Sequence, residues 1–177
     1  MEIKLISMVK VHYPPTTPFV AKDSLKIFLA GTIDMGNSID WQAGMIQYII
    51  ECFPNENIEI MNPRRLDWDS SWEQHPNHPM FNAQVNWELN QLDEADVILM
   101  VLLEGSQSPI SLMELGSSKT KPVFVYNPEK FHRWGNVEIF CKRNKILTFN
   151  DWDDYLIAVK RFLGSYIFKI TKNIPNA

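Results

Sequence analysis

The sequence has few of the residues that stabilise small secreted domains or bind metal ions. It contains two cysteines among 177 residues, Cys52 and Cys141, and neither has Cys or His neighbours at the spacing of metal ligands. The pair His75 and His78 lacks a nearby third ligand. We therefore expect neither a disulfide framework nor a metal site, and we expect a protein of the reducing cytoplasm.

A basic stripe, a long apolar run and the common phosphate-binding motifs are also absent. The formal net charge is −4 and basic residues are mixed with acidic ones, which argues against a nucleic-acid polymer as partner. No apolar run reaches the roughly 18 residues of a membrane span, so we expect no membrane partner. Neither G-x-x-x-x-G-K-[ST] nor G-x-G-x-x-G occurs, which disfavours ATP-driven and dinucleotide-dependent chemistry of the usual kinds.

The sequence does contain an alternation of short apolar runs with helical patterns. Strands are predicted at residues 26–31, 58–62, 96–103, 122–126 and 146–149, and helices at 39–53, 81–95, 109–118, 136–143 and 151–168. This alternation predicts an α/β fold with an open sheet of about five parallel strands and helices on both faces. Residues 1–25 are predicted to be an N-terminal lead-in with an extended strand, and residues 26–177 to form one domain.

A sheet of this kind binds ligands outside the carboxyl ends of its strands. The loops after Ala30, Met61, Leu103 and Tyr126 are therefore predicted to surround a single site. The loop from residue 64 to residue 79 is rich in Trp, Asp, His and Pro without periodicity, which is typical of a functional or mobile loop.

The helix predicted at 81–95 carries an acidic residue on its apolar face. That face consists of Phe81, Val85, Leu89 and Leu92. Glu88 projects into it, and a carboxylate there must be paired or used because burying an unpaired charge is unfavourable. Two interpretations stay open. Either the helix end emerges from the core and Glu88 meets an arginine or water, or Glu88 is a proton donor or hydrogen-bond partner for a ligand.

A second acidic residue, Glu114, follows the most apolar strand. Ser108 and Pro109 are a favourable helix start, with a capping residue before proline at the first helical position. This start places Glu114 in the second turn, from which its side chain can point over the helix N-terminus into the cleft. The pattern S-x-x-E from Ser111 to Glu114 also fits a capping box, in which Glu114 would only bind a backbone N–H. Local spacing alone favours the capping box.

Further candidates lie in the loops. Ser106 and Ser108 lead into a helix N-terminus, where free N–H groups and the helix dipole favour an anion such as phosphate, although many such loops bind nothing. Trp41 lies beside the first loop, where an aromatic ring can stack on a nucleobase, although most tryptophans serve only in packing.

Five short motifs follow one another between residues 26 and 149. They are Phe28-Leu-Ala-Gly-Thr-Ile, Asn62-Pro-Arg-Arg, Trp87-Glu-Leu-x-x-Leu-x-x-Ala-Asp, Ser108-Pro-x-x-x-x-Glu-Leu-Gly and Arg133-Trp-Gly-Asn-Val. In this order they resemble the nucleoside 2-deoxyribosyltransferase-like family. The resemblance implies a flavodoxin-like fold and an enzyme that cleaves the N-glycosidic bond of a (deoxy)nucleoside and transfers the sugar to another base.

The resemblance also implies roles for particular residues. Glu114 matches the family's nucleophile, which attacks the anomeric carbon and forms a covalent glycosyl ester, and Glu88 matches an acidic residue that contacts the base. Gly31 and Thr32 lie where the family's first loop approaches the ligand. Asn136 matches an asparagine that in some members reaches the sugar's 5′ end in the neighbouring subunit, so a homo-oligomer is implied. The expected partners are a nucleoside or nucleotide and a free base, with no metal or other cofactor.

One departure from the family's pattern leaves the substrate open. Ser108 stands six positions before Glu114, where other members often carry an acidic residue that holds sugar hydroxyls. A serine there is closer to the related 2-deoxynucleoside 5′-monophosphate N-glycosidases, in which it receives the 5′-phosphate. Arg64 or Arg65 could add charge to that phosphate, or pair within the long loop. The alternatives to a transferase are therefore hydrolysis of a nucleoside monophosphate, hydrolysis of a larger glycosidic nucleotide, and a non-catalytic nucleotide-binding module.

Overall fold

The computed structural model describes residues 8–18, 23–34, 38–65, 67–69 and 71–172. The strands are β1 (Val9–His12), β2 (Leu25–Gly31), β3 (Ile58–Met61), β4 (Val97–Val101), β5 (Val123–Tyr126) and β6 (Leu147–Phe149). The helices are α1 (Trp41–Cys52), α2 (Pro79–Glu94), α3 (Pro109–Ser117), α4 (Trp134–Asn144) and α5 (Trp152–Lys172). Within these described ranges no helix is both long enough and apolar enough to cross a membrane.

The strands form one parallel sheet in the order β1-β3-β2-β4-β5-β6. All five residues of the central strand β4 are buried, as expected for a strand that is covered on both faces. The predicted open parallel sheet is confirmed, and the five predicted strands correspond to β2 through β6. A sixth strand comes from the lead-in, where β1 pairs with β3 along the edge.

Helices cover both faces of the sheet. Helices α1 and α5 pack on one face, around buried residues that include Met45, Ile49 and Tyr155. Helices α2, α3 and α4 pack on the other face, around Trp87 and Leu115 among others. Because both faces are covered, the carboxyl ends of the strands are the place where a ligand can reach the sheet.

Polar contacts attach the edge strand β1. Glu59 on β3 is 0% exposed, and its two carboxylate oxygens lie 3.1 Å from Lys10 Nζ and 2.5 Å from His12 Nε2. A buried carboxylate requires partners of this kind. The side chains of Lys10 and His12 therefore hold β1 to Glu59 of β3, in addition to the backbone hydrogen bonds between the two strands.

Helix α2 presents a different face to the core from the one predicted. Its buried residues are Gln84, Trp87, Gln91 and Leu92. Leu89 is 45% exposed, so the predicted apolar face was wrong at that position. The reason is that a polar side chain takes a core position, where Gln84 Nε2 donates to the carbonyl oxygen of Pro63 at 3.0 Å. Glu88 lies beside this face and is half-buried.

The starts of two other helices also differ from prediction. Helix α1 begins at Trp41, two residues later than predicted, because Asp40 caps it: Asp40 Oδ1 accepts the backbone N–H of Ala43 at 3.0 Å. The hydroxyl of Ser38 donates to the carbonyl of Ile33. Helix α4 begins at Trp134, two residues earlier than predicted. These shifts are small and leave the order of elements unchanged.

Gly31 ends β2 at a point where the two central strands come very close. Its φ is +135°, and a Cβ added there would lie 2.1 Å from the carbonyl oxygen of Val101. A side chain is excluded both by this contact and by the backbone conformation. The close approach that Gly31 permits is therefore to the neighbouring strand.

Replacing Gly31 with alanine is expected to lower the free energy of unfolding by about 3 kcal/mol, because the new methyl group must displace the backbone of β4. Urea denaturation measures this change. Gly44→Ala is the matched control, since a Cβ at this α1 position meets no atom within 4 Å and is expected to raise helix stability by up to about 1 kcal/mol. Equal stability of Gly31→Ala and the wild type would contradict the close contact.

Candidate active site

The loops after β2, β3, β4 and β5 meet at the carboxyl edge of the sheet, and two acidic residues lie near this edge. Helix α3 starts with Pro109 and carries Glu114 in its second turn. Helix α2 carries Glu88. The carboxyl group of Glu88 raises the pKa of Glu114, so the two groups lie within range of electrostatic interaction although they come from different helices.

Glu114 is buried without a partner for its carboxyl group. The residue is 8% exposed, and the influences on the pKa of its carboxyl group are burial and Glu88, with no hydrogen bond among them. Helix α3 is preceded by Ser108 at the capping position, so Ser111 lies inside the first turn and cannot cap it. The capping-box interpretation is therefore wrong. Nothing in the helix itself accounts for a carboxyl group at this place.

Burial makes both carboxyl groups weak acids. Burial, the larger cause, and the nearby carboxyl group of Glu88 together raise the pKa of Glu114 from 4.5 to about 8. Burial also raises the pKa of Glu88 from 4.5 to about 7, while a hydrogen bond from Gln84 opposes this rise. Two adjacent carboxyl groups with raised pKa values are typical of sites that transfer protons or form covalent intermediates.

A cluster of three hydroxyl groups lies at the start of α3. Thr32 Oγ1 is 2.9 Å from Ser106 Oγ and 2.6 Å from Ser108 Oγ, and the two serine oxygens are 3.0 Å apart. Thr32 also accepts the backbone N–H of Leu103 at 3.0 Å. The cluster joins the loop after β2 to the loop after β4, so it fixes where α3 begins.

The cluster has fewer hydrogens than contacts. Each hydroxyl group has one hydrogen to donate, and that of Ser106 goes to the carbonyl of Leu103 at 2.9 Å. Two hydrogens, those of Thr32 and Ser108, remain for the three contacts between hydroxyl groups. Lone pairs of the three oxygens therefore remain free, and a ligand that donates a hydrogen, such as a sugar hydroxyl, can bind to them.

Ser108 adopts an unusual backbone conformation. Its φ of 44° and ψ of 50° lie in the left-handed region, which serine enters at an energetic cost. Its side chain makes no capping hydrogen bond and turns to Thr32 instead. The predicted helix start is confirmed, but the hydroxyl that was expected to cap the helix is held in the cluster.

The other predicted site residues have varied surroundings. Trp41 is buried and donates its ring N–H to the carbonyl of Thr32 at 2.9 Å. Arg64 donates to the carbonyl of Ser38 at 2.9 Å and lies 3.7 Å from a carboxylate oxygen of Asp40. Asn136 is exposed in the first turn of α4. The structure thus brings Thr32, the two serines and Trp41 together, engages Arg64 with the start of α1, and leaves Asn136 on the surface.

Two buried side-chain amides near the site were not predicted from the sequence. Gln84 contacts Glu88 directly, as described above. Asn127 directly follows β5, is 0% exposed, and donates to Glu138 Oε1 at 2.6 Å, while its own carbonyl oxygen has no partner among the described residues. The position of Asn127 at a strand end was a signal that could have found it. Gln84 gave no such signal, because glutamine is common on exposed helix faces.

No metal centre is evident in the described part of the chain. Within it no group of three or more His, Cys, Asp or Glu side chains is placed to hold a metal ion. His75 and His78 instead accept backbone N–H groups through Nδ1, from Asn77 and Phe81 respectively. The two acidic side chains and the three hydroxyl groups are therefore the main groups that can carry chemistry at this edge.

The raised pKa of Glu114 predicts how stability depends on pH. The folded protein holds this proton more tightly than the unfolded chain, so the stabilisation is complete below pH 4.5 and is lost as pH rises through about 8. Glu114→Gln removes this penalty and is expected to be more stable than the wild type at pH 8 by on the order of 2 kcal/mol, with little difference near pH 5. Chemical denaturation across this range measures the effect.

Glu104→Gln is the control, because Glu104 is exposed in the same region, and it should keep the wild-type dependence on pH. The raised pKa of Glu88 also makes stability fall as pH rises. Glu114→Gln should therefore weaken the dependence of stability on pH without abolishing it. A Glu114→Gln profile parallel to that of the wild type would show that Glu114 is ionised throughout.

Comparison with known proteins gives the family and a structural neighbour. Residues 24–134, more than half of the chain, match the family described as "Nucleoside 2-deoxyribosyltransferase like". The crystal structure of a conserved protein from Enterococcus faecalis V583 superposes with a TM-score of 0.59 at 13% identity, over 78% of this chain and 98% of that one. A search of curated proteins gives no match. The chain belongs to the nucleoside 2-deoxyribosyltransferase-like family.

Proposed function

We propose that the protein cleaves the N-glycosidic bond of a (deoxy)nucleoside and transfers the sugar to another base. The observation that carries this proposal is the carboxyl group of Glu114, which is buried without a hydrogen-bond partner among the described residues and lies beside a second carboxyl group. Membership of the family supports the assignment. Glu114 is the proposed nucleophile, and Glu88 is the proposed acid.

The reaction proceeds in two displacements. In the first, a carboxylate oxygen of Glu114 attacks C1′ of the sugar and forms an ester, while the C1′–N bond breaks and its electron pair leaves with the base. Glu88 supplies the proton that neutralises the departing base. In the second, another base attacks C1′, releases Glu114 and returns a proton to Glu88. No group outside the two substrates and these side chains is required.

The electrostatic coupling of the two carboxyl groups suits the roles of Glu114 as nucleophile and Glu88 as acid. Burial and mutual repulsion disfavour the doubly ionised pair, so the pair holds one proton over part of the neutral range. The higher pKa of Glu114 favours the proton on Glu114 in the free protein, so the reactive form, with the proton on Glu88 and the negative charge on Glu114, is the less populated one before the substrate binds. A ring nitrogen of the base accepts a hydrogen bond from neutral Glu88 and so favours this form.

The hydroxyl cluster supports a sugar hydroxyl as ligand. The oxygens of Thr32, Ser106 and Ser108 have more lone pairs than the hydrogens of the cluster and the N–H of Leu103 occupy, so they can accept a hydrogen bond from a sugar hydroxyl. A second candidate is hydrolysis of a 2-deoxynucleoside 5′-monophosphate. The observation that favours it is the position of the cluster at the N-terminus of α3, where the helix dipole attracts an anion.

Glu114→Gln is expected to lower kcat by roughly 10³-fold or more, because an amide cannot act as the nucleophile. The assay incubates the protein with each 2′-deoxynucleoside or its 5′-monophosphate, with and without a second free base, and follows released and exchanged bases by chromatography. Glu104→Gln is the matched control and should keep wild-type activity, since its side chain is exposed and pairs with Lys130.

The outcomes separate the candidate functions. Exchange that requires the second base identifies a transferase, whereas release from the monophosphates without it identifies a hydrolase. Full activity of Glu114→Gln would refute covalent catalysis by this residue. Saturable binding without any turnover would identify a nucleotide-binding module, or an enzyme for a larger glycosidic nucleotide.

We also propose that two copies of this chain associate through the outer side of α2, α3 and α4. This side carries six large exposed apolar side chains, namely Met80, Leu89, Ile110, Met113, Trp134 and Ile139. A concentration of apolar surface on one layer is typical of an interface between subunits. Asn136 is exposed on the same layer, which agrees with its expected role at a neighbouring subunit.

Met113→Glu is expected to dissociate the oligomer, because it places a charge among these exposed apolar side chains. Sedimentation velocity on the wild type and the variant measures the change in mass. Phe168→Glu is the control, since Phe168 is equally exposed but belongs to α5 on the opposite face of the sheet. A monomeric wild type, or a variant that remains associated, would contradict this interface.

A further inference from the structure

A buried amide on α2 joins the proposed acid to the loop after β3. Gln84 is 4% exposed and lies one helical turn before Glu88. Its Nε2 donates to the carbonyl oxygen of Pro63 at 3.0 Å and to Glu88 Oε1 at 2.7 Å. Both hydrogens of the amide nitrogen are therefore used, one on each side.

The contacts determine which way the amide points. The carbonyl of Pro63 can only accept a hydrogen bond, so the nitrogen of Gln84 and not its oxygen must face it. The same nitrogen then faces Glu88. The amide oxygen is left in a buried position without a donor among the described residues.

We propose that Gln84 is a positioning residue that fixes Glu88 in the orientation required of a proton donor. Because the amide N–H of Gln84 donates to Oε1, this oxygen is the one that accepts a hydrogen bond in the carboxyl group of Glu88. In neutral Glu88 the proton must then reside on Oε2, the oxygen that remains for the substrate. The inference deepens the proposed function and rests on it for the role of Glu88 as an acid.

Few charged groups influence Glu88, so the effect of Gln84 can be isolated. On its own helix the contact is the amide of Gln84, which stabilises the ionised form and lowers the pKa. From α3 the facing charged group is Glu114. Removing the N–H donor should therefore raise the pKa of Glu88, and the acid should stay protonated to higher pH.

The test compares Gln84→Met with Gln91→Met. Methionine keeps the volume and flexibility of glutamine but has no N–H to donate. Gln91 is an equally buried glutamine of the same helix, also with an unpartnered amide oxygen, and it has no hydrogen bond to Glu88. Loss of packing or of a buried amide affects both variants, whereas loss of the contacts with Glu88 and Pro63 affects only the first, and of these two the contact with Glu88 bears directly on the pKa of Glu88.

In Gln84→Met we expect the alkaline limb of kcat/KM against pH to move up by about one unit, with kcat reduced roughly 10-fold on the plateau. Gln91→Met should keep the limb in place. An unmoved limb in Gln84→Met, in an active enzyme, would overturn the inference while leaving the proposed function intact. Should the methionine variant fail to fold, Gln84→Leu replaces it, since leucine also has no N–H to donate, and the same shift is expected.

A second measurement requires no substrate. The infrared C=O band of a neutral carboxyl group disappears on ionisation, and the difference between each protein and its Glu88→Gln derivative isolates the band of Glu88. Its midpoint should lie about one unit higher in Gln84→Met than in the wild type. An unshifted midpoint overturns the inference. If the midpoint shifts but the protein cleaves no nucleoside, the proposed function is refuted. The conclusion that the hydrogen bond from Gln84 lowers the pKa of Glu88 would then still stand.

Discussion

The contact between the ends of β2 and β4 determines where the candidate site lies. Gly31 lets the two strands approach, and the next residue, Thr32, donates its backbone N–H to the carbonyl of Val101 at 2.9 Å. The hydroxyl of Thr32 then accepts the N–H of Leu103 and meets Ser108 at the start of α3. Since the start of a helix determines the direction of every later side chain, this chain of contacts also places Glu114 in the second turn.

Burial gives the two acidic residues their chemical character and lowers the stability of the fold. A carboxyl group that is neutral at physiological pH can donate a proton, and an ionised one in a site of low polarity is a strong nucleophile. The same burial disfavours ionisation of Glu114, so the folded protein is less stable at alkaline pH than it would be with an amide there. A group that lowers stability in this way is more readily explained by chemistry than by packing.

The sequence predicted what depends on apolar periodicity and failed where polar contacts decide. Strands β2 through β6 were predictable because the main strands are buried on both faces and appear as apolar runs. The buried face of α2 was not predictable. Gln84 and Gln91 are buried there, whereas Leu89, which a hydropathy pattern assigns to the core, is exposed. The family followed from motifs and the two acidic residues from their places on predicted helices, whereas the hydrogen bond between Ser108 and Thr32 joins distant parts of the chain and left no pattern in the sequence.

Helix α2 illustrates why such polar contacts matter to the site. It has no continuous apolar face to fix its rotation, yet Glu88 is useful only if the helix presents it to Glu114. Two hydrogen bonds supply the missing constraint: Gln84 binds the carbonyl of Pro63, and the ring N–H of Trp87 binds the carbonyl of Thr16 at 2.8 Å. The second contact comes from the lead-in, so the N-terminal segment that closes the edge of the sheet also holds the helix of the proposed acid. Because successive side chains differ by about 100° around a helix, anchors on Gln84 and Trp87 fix the rotation of α2, and with it the direction of Glu88, which lies about 40° around the helix from Gln84.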